Sequence, residues 1–90
     1  MNKLEAYTML QNNNENTIHC EVGGDLRVYN RVSVDVTDPT VEYDSLTTPF
    51  LYVIKDNAID NVQRITWKTI KSVNGVRYIH AKWWKDYWWN

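Results

Sequence analysis

Residues 17–36 read TIHCEVGGDLRVYNRVSVDV, and the fold turns on how this stretch is read. Apolar and polar side chains alternate along it with the period of two that a half-buried strand requires, and Gly23-Gly24 interrupts the pattern near its middle. Two antiparallel strands joined by a tight turn follow. A two-residue loop fails to bring the apolar faces of the two strands together. A three-residue loop over residues 23–25 pairs Val22 with Leu26 and Cys20 with Val28, and it puts Glu21 opposite Arg27 and His19 opposite Tyr29. The second strand then carries Leu26, Val28, Val32, Val34 and Val36 on one face, broken only by Asn30. Cys20 is expected in the core, and His19 beside it points to the opposite face, so the two do not share a metal or form a thiolate pair.

Upstream, Asn2 and Glu5 have the spacing of a capping box, and Leu4, Tyr7 and Leu10 recur at helical intervals. A short helix to about Gln11 is predicted, ended by the Asn run at residues 12–14. Downstream, Asp38, Glu42 and Asp44 follow Asp35 in a segment with little periodicity. Residues 37–48 therefore read as a surface loop, with a short edge strand at residues 41–43 and a stop at Pro49. The acids lack the glycine and the ligand alternation of a calcium loop, so no metal site is expected. Residues 50–54, FLYVI, have the length and composition of a strand covered on both faces. Residues 55–57 turn the chain, and residues 58–64 read as irregular.

The C-terminal stretch, residues 65–90, reads ITWKTIKSVNGVRYIHAKWWKDYWWN and holds all five tryptophans. Asn74-Gly75 is a type I′ hairpin signal, because both positions of that turn need positive φ. Strands at residues 65–73 and 76–84 follow, with Val73 facing Val76, Lys71 facing Tyr78, Thr69 facing His80, Trp67 facing Lys82 and Ile65 facing Trp84. One face then interleaves rings with cations. The other pairs Ile70 with Ile79 and Thr66 with Trp83, and is expected to face the core.

Charge is divided along the chain. From Arg64 onward there are six Lys or Arg against one acid, whereas the first 63 residues have four against ten, so a net charge of -1 conceals an acidic body and a basic, aromatic end. Such a dipole favours head-to-tail self-association or docking on a partner of matching polarity. Ninety residues make a single compact domain, residues 1–90, able to fold without metal or disulfide staples. The lone Cys20 fits a reducing compartment, and a cytoplasmic location is expected. No apolar run approaches a membrane span, and the N-terminus lacks a signal-peptide core, so the whole chain is expected to be the mature protein. The terminal WWKDYWW is too short and too poor in basic residues for stable membrane anchoring.

No phosphate loop, CxxC pair or nucleophile elbow occurs, and His80, alone beside Thr and Lys, reads as a surface residue rather than a general base. The expected fold is α+β: a small single domain, an antiparallel β-sheet with a short N-terminal helix covering one face. The expected function is that of a small non-enzymatic binding protein without cofactor. Its partner-binding residues are Trp67, Lys71, Tyr78, His80, Lys82, Trp84 and Trp88. Large rigid rings that retain one polar atom suit a protein interface, of the kind phage and mobile-element accessory proteins use to bind and inhibit a host protein. Two other readings stand beside it. Rings for stacking and ammonium groups for phosphates also suit single-stranded nucleic acid, and the same rings can fill the core of a small protein while lysines extend along them.

Overall fold

The computed structural model describes residues 1–80. Two helices and six strands follow one another as α1 (Lys3–Asn12), β1 (Asn16–Val22), β2 (Asp25–Ser33), α2 (Pro39–Thr47), β3 (Phe50–Lys55), β4 (Val62–Thr66), β5 (Ile70–Val73) and β6 (Val76–Arg77). A single turn of 3₁₀ helix, Trp67–Thr69, joins β4 to β5. All pairings are antiparallel, in the order β4-β3-β2-β1-β5-β6. The α+β expectation is met.

That order forces the sheet to roll. Four strand spacings of about 4.8 Å separate β4 from β5, roughly 19 Å across a flat sheet, yet the four Cα steps from Thr66 to Ile70 reach at most about 14 Å. The sheet must curl until its two sides approach. Trp67 marks the crossing, where its N–H bonds the Pro49 carbonyl at 2.9 Å. Inside the curl lie Ile18, Cys20, Val32, Leu51, Val53, Ile65, Trp67, Ile70 and Val73, covered by Ala6, Tyr7 and Leu10 of α1.

The capping box forms as predicted: the Asn2 side chain accepts from the Glu5 N–H, and the Glu5 carboxylate accepts from the Asn2 N–H, both at 2.9 Å. The segment read as a loop is instead α2. Asp38 caps it, accepting from the Thr40 N–H at 3.0 Å and the Thr40 hydroxyl at 2.6 Å, and Pro39 occupies the first turn, where its missing N–H costs nothing. No edge strand forms at residues 41–43. Thr48 ends the helix, and the strand read at residues 50–54 extends to Lys55. The segment read as irregular divides, its second half forming β4.

The first hairpin departs from its expected register. Gly23 and Gly24 both have positive φ, 60° and 87°, so the turn has two residues and Val22 pairs with Asp25, Cys20 with Arg27 and His19 with Val28. The sequence-based objection to this turn was that it splits the apolar residues between faces. A bulge resolves it. Between the pairs Asn16–Val32 and Ile18–Tyr29, Asn30 and Arg31 both stand opposite Thr17, and Arg31 takes a φ of 59°. Val32 and Val34 are thereby turned inward, while Leu26 and Val28 lie outward, at 75% and 49% exposure, and Val36 is exposed beyond the strand's end.

The second predicted hairpin is half right. Val73 pairs with Val76 around Asn74 (φ 52°) and Gly75 (φ 80°), and the Tyr78 N–H bonds the Lys71 carbonyl at 2.8 Å. The long strand over residues 65–73 does not exist as one element, because the 3₁₀ turn breaks it and hands its two halves to different neighbours. Thus Ile65 pairs with Leu51, and the predicted pairings of residues 65–68 with residues 81–84 fall on partners outside the described residues. The part of the second predicted strand at residues 81–84 lies outside the described residues.

Candidate binding surface

The predicted face of rings and cations is dispersed by this geometry. Trp67 is completely buried: its Nε1–H donates to the Ser45 carbonyl at 2.6 Å, and the Lys3 ammonium sits 5.3 Å from the ring centroid. Lys3 in turn donates to the Thr48 carbonyl at 2.9 Å. Tyr78 is also buried, stacked on Trp67 at 5.6 Å between centroids and 25° between planes. These two rings tie α1, α2 and the C-terminal hairpin together, the core reading of them that the sequence left open.

Lys71 and Tyr78 are ladder neighbours, yet their side chains part. β1 and β5 carry a second bulge, where consecutive His19 and Cys20 face Ser72 and Ile70 and leave Lys71 as the extra residue. The Lys71 ammonium stands outside, 3.7 Å from Glu21, in an exposed pair that adds little stability. Ile70 is buried as expected, whereas Ile79, expected opposite it in the core, is exposed.

His80 is half-buried rather than a free surface group. Its Nε2 lies 3.2 Å from the Ile70 carbonyl, and its ring meets Tyr78 edge-on at 4.8 Å. Burial pushes its pKa below the ordinary value of 6.5, the Ile70 carbonyl opposes that shift, and Lys71 adds to it. The backbone beside it is held by the Ile79 N–H donating to the Met1 carbonyl at 2.8 Å. Lys82, Trp84 and Trp88, the remaining predicted contact residues, lie outside the described residues.

Sequence reasoning missed the outward strip of the first hairpin, where Leu26 and Val28 are exposed on the face they share with Glu21 and His19. The Asn30-Arg31 break in the apolar alternation was the available signal. A separate hollow of about 230 Å³ lies between α2 and the β3–β4 pair, lined by Val41, Tyr52, Ile54, Ile59 and Val62 and rimmed by Asp35, Asp38 and Asp44. Two of those acids are occupied locally: Asp38 caps α2, and Asp35 accepts from the Thr37 N–H and hydroxyl. Among the described residues no group of His, Cys, Asp or Glu is arranged to hold a metal ion, and no helix is long and apolar enough to cross a membrane.

Comparison with family models, with curated proteins and with solved structures finds no match.

Proposed function

We propose that the protein is a small non-enzymatic binding protein that engages a protein partner through Lys71 and the aromatic segment of residues 81–90, as a phage-type accessory inhibitor engages a host protein. The observation that supports this is the anchor at residues 78–80. Tyr78 is stacked on Trp67, the Ile79 N–H is held by Met1 and His80 is set against Ile70, so the segment carrying four tryptophans begins from a fixed point beside an exposed lysine. Fixing one end of a recognition segment lowers the ordering cost of binding. Trp and Tyr are the residues on which interface energy concentrates. Burial of Trp67 and Tyr78 takes two rings out of the predicted contact surface and leaves the proposal resting on Lys71 and residues 81–90.

The test is affinity capture from a cytoplasmic lysate with the full chain and with a Trp84→Ala, Trp88→Ala variant, followed by titration of the purified partner at two salt concentrations. The parent is expected to retain one protein that the variant loses by about 2 kcal/mol or more, without a change in melting temperature. Equal capture by both ends the proposal, and affinity that falls steeply with salt assigns the surface to nucleic acid instead.

A further inference from the structure

The strip on the first hairpin has an open backbone edge. Among the described residues β3 pairs with β2 only at Val32 and Ser33, so no strand lies along residues 25–30 on that side. In a hairpin closed by a two-residue turn, Val22–Asp25, Cys20–Arg27 and Ile18–Tyr29 are the pairs that exchange backbone hydrogen bonds. The alternate residues Leu26, Val28 and Asn30 therefore direct their N–H and C=O groups outward. Polar backbone groups in a row, beside two exposed apolar side chains, form a template for another strand. Arg31 bounds it, since its carbonyl accepts the Asp56 N–H at 2.9 Å and its guanidinium bonds the Asp56 carboxylate at 2.9 Å.

We infer that this edge pairs with the same edge of a second copy of the chain, antiparallel about a two-fold axis through Val28. The register follows from the groups available. Centring on Val28 sets Leu26 and Asn30 opposite Asn30 and Leu26 of the second copy, so every outward N–H and C=O from 26 to 30 meets a partner. On the outer face Val28 meets its own equivalent, with Leu26 diagonal to it, and the exposed apolar strip is covered. On the other face Arg27 falls opposite Tyr29 of the second copy, and the pairing stops at residue 30 because Asp56 already stands opposite Arg31. No like charges face each other. Centring one residue away, on Arg27, would oppose two arginines and set Asn30 against Gly24 of the turn, so fewer of the outward groups would meet a partner. This interface is separate from residues 81–90, so either reading can fail alone.

Sedimentation of the full chain over a concentration series should give a monomer–dimer equilibrium with a dissociation constant on the order of micromolar, as befits a short edge pairing. Val28→Lys, at a half-exposed site, should weaken it by about tenfold or more at unchanged melting temperature. Val28→Cys should oxidise to a disulfide-linked dimer, because residues paired across the axis have Cα atoms about 5.5 Å apart. Leu26→Cys should not, its equivalents being about 14 Å apart in this register. Amide exchange at Leu26, Val28 and Asn30 should slow as concentration rises. A chain monomeric to millimolar concentration overturns the inference, and slow exchange at those amides in the monomer assigns the edge to the chain's own residues 81–90. Cross-linking of Leu26→Cys as readily as Val28→Cys, or undiminished dimerisation of Val28→Lys, overturns it equally.

Discussion

The Asn74 side chain donates from Nδ2 to Oδ1 of Asn16 at 2.8 Å, joining residues 58 apart in the chain. Asn16 is almost fully buried, and its own Nδ2 lies 2.9 Å from the Val32 carbonyl and 3.0 Å from the Asn13 carbonyl. The Thr17 N–H donates to Asn74 Oδ1 at 2.9 Å, and the Asn74 N–H to the Thr17 carbonyl at 2.8 Å. Two asparagines thus fasten the end of α1, the bulge in β2 and the β5–β6 turn to one another.

Asn74 has two roles that mutation can separate. Asn74→Gly keeps the φ of 52° accessible and removes only the side-chain bonds, whereas Asn74→Ala also strains the turn. Urea denaturation should rank them parent, then Gly, then Ala, with Ala costing about 2 kcal/mol and Gly about 1 kcal/mol. Asn16→Ala leaves buried carbonyls without a donor and should cost about 2 to 3 kcal/mol. Equal stability of the Gly and Ala variants would show that the backbone conformation contributes nothing measurable.

Trp67→Ala should cost about 3 to 5 kcal/mol, the scale of a large aromatic truncation in a packed interior. In a domain this small that leaves little folded protein at 37 °C. Trp67→Phe should cost less but still release the Ser45 carbonyl from its donor. Near-native stability of Trp67→Ala would contradict the core placement of this ring.

Cys20 is fully buried, and burial raises its thiol pKa against smaller opposing effects of a Thr69 hydrogen bond and the Arg27 charge. The thiolate is the reactive form, so native protein should react with a disulfide reagent only as fast as it opens. The rate should climb with urea in step with unfolding. Fast reaction in buffer alone would place the thiol at the surface.

His80 gives stability a pH dependence of defined sign. Its folded pKa lies below its unfolded value, so the unfolded chain binds the proton first as pH falls, and stability present above the unfolded value is lost as pH drops through the folded one. Melting temperature should decline between about pH 7 and pH 5, and a His80→Gln variant should flatten that part of the profile. The same decline in the variant would assign it to carboxylates.

The elements that were legible in the sequence are those whose cause is local. Asn2 with Glu5, Asn74-Gly75 and the apolar run at residues 50–54 each dictate their own backbone, and each appears where expected. The Asp38-Pro39 start of α2 was equally local and was outweighed by the surrounding acids and threonines. Face assignments failed where one residue of slippage changes everything: the Arg31 and Lys71 bulges invert a strand's sides without changing its composition. Trp67 misled for another reason. Hairpin reasoning assumes that an unbroken β-rich run is one strand, and only the strand order, a property of the whole chain, shows that it must cross the sheet. The candidate surface was correspondingly less legible than the fold, since only Lys71 of its described members is well exposed.

The rolled sheet also bears on how the protein is made. β1 is synthesised among the first strands but obtains its second neighbour, β5, only when residues 70–73 have left the ribosome. Until then a nascent chain of more than sixty residues carries an unfilled strand edge and lacks the indole on which its interior closes. The last ring needed, Tyr78, emerges just ahead of the tryptophan-rich segment. Closure of the domain is therefore deferred until nearly all of the described chain has been made, and the early strands must wait in the meantime with their edges open.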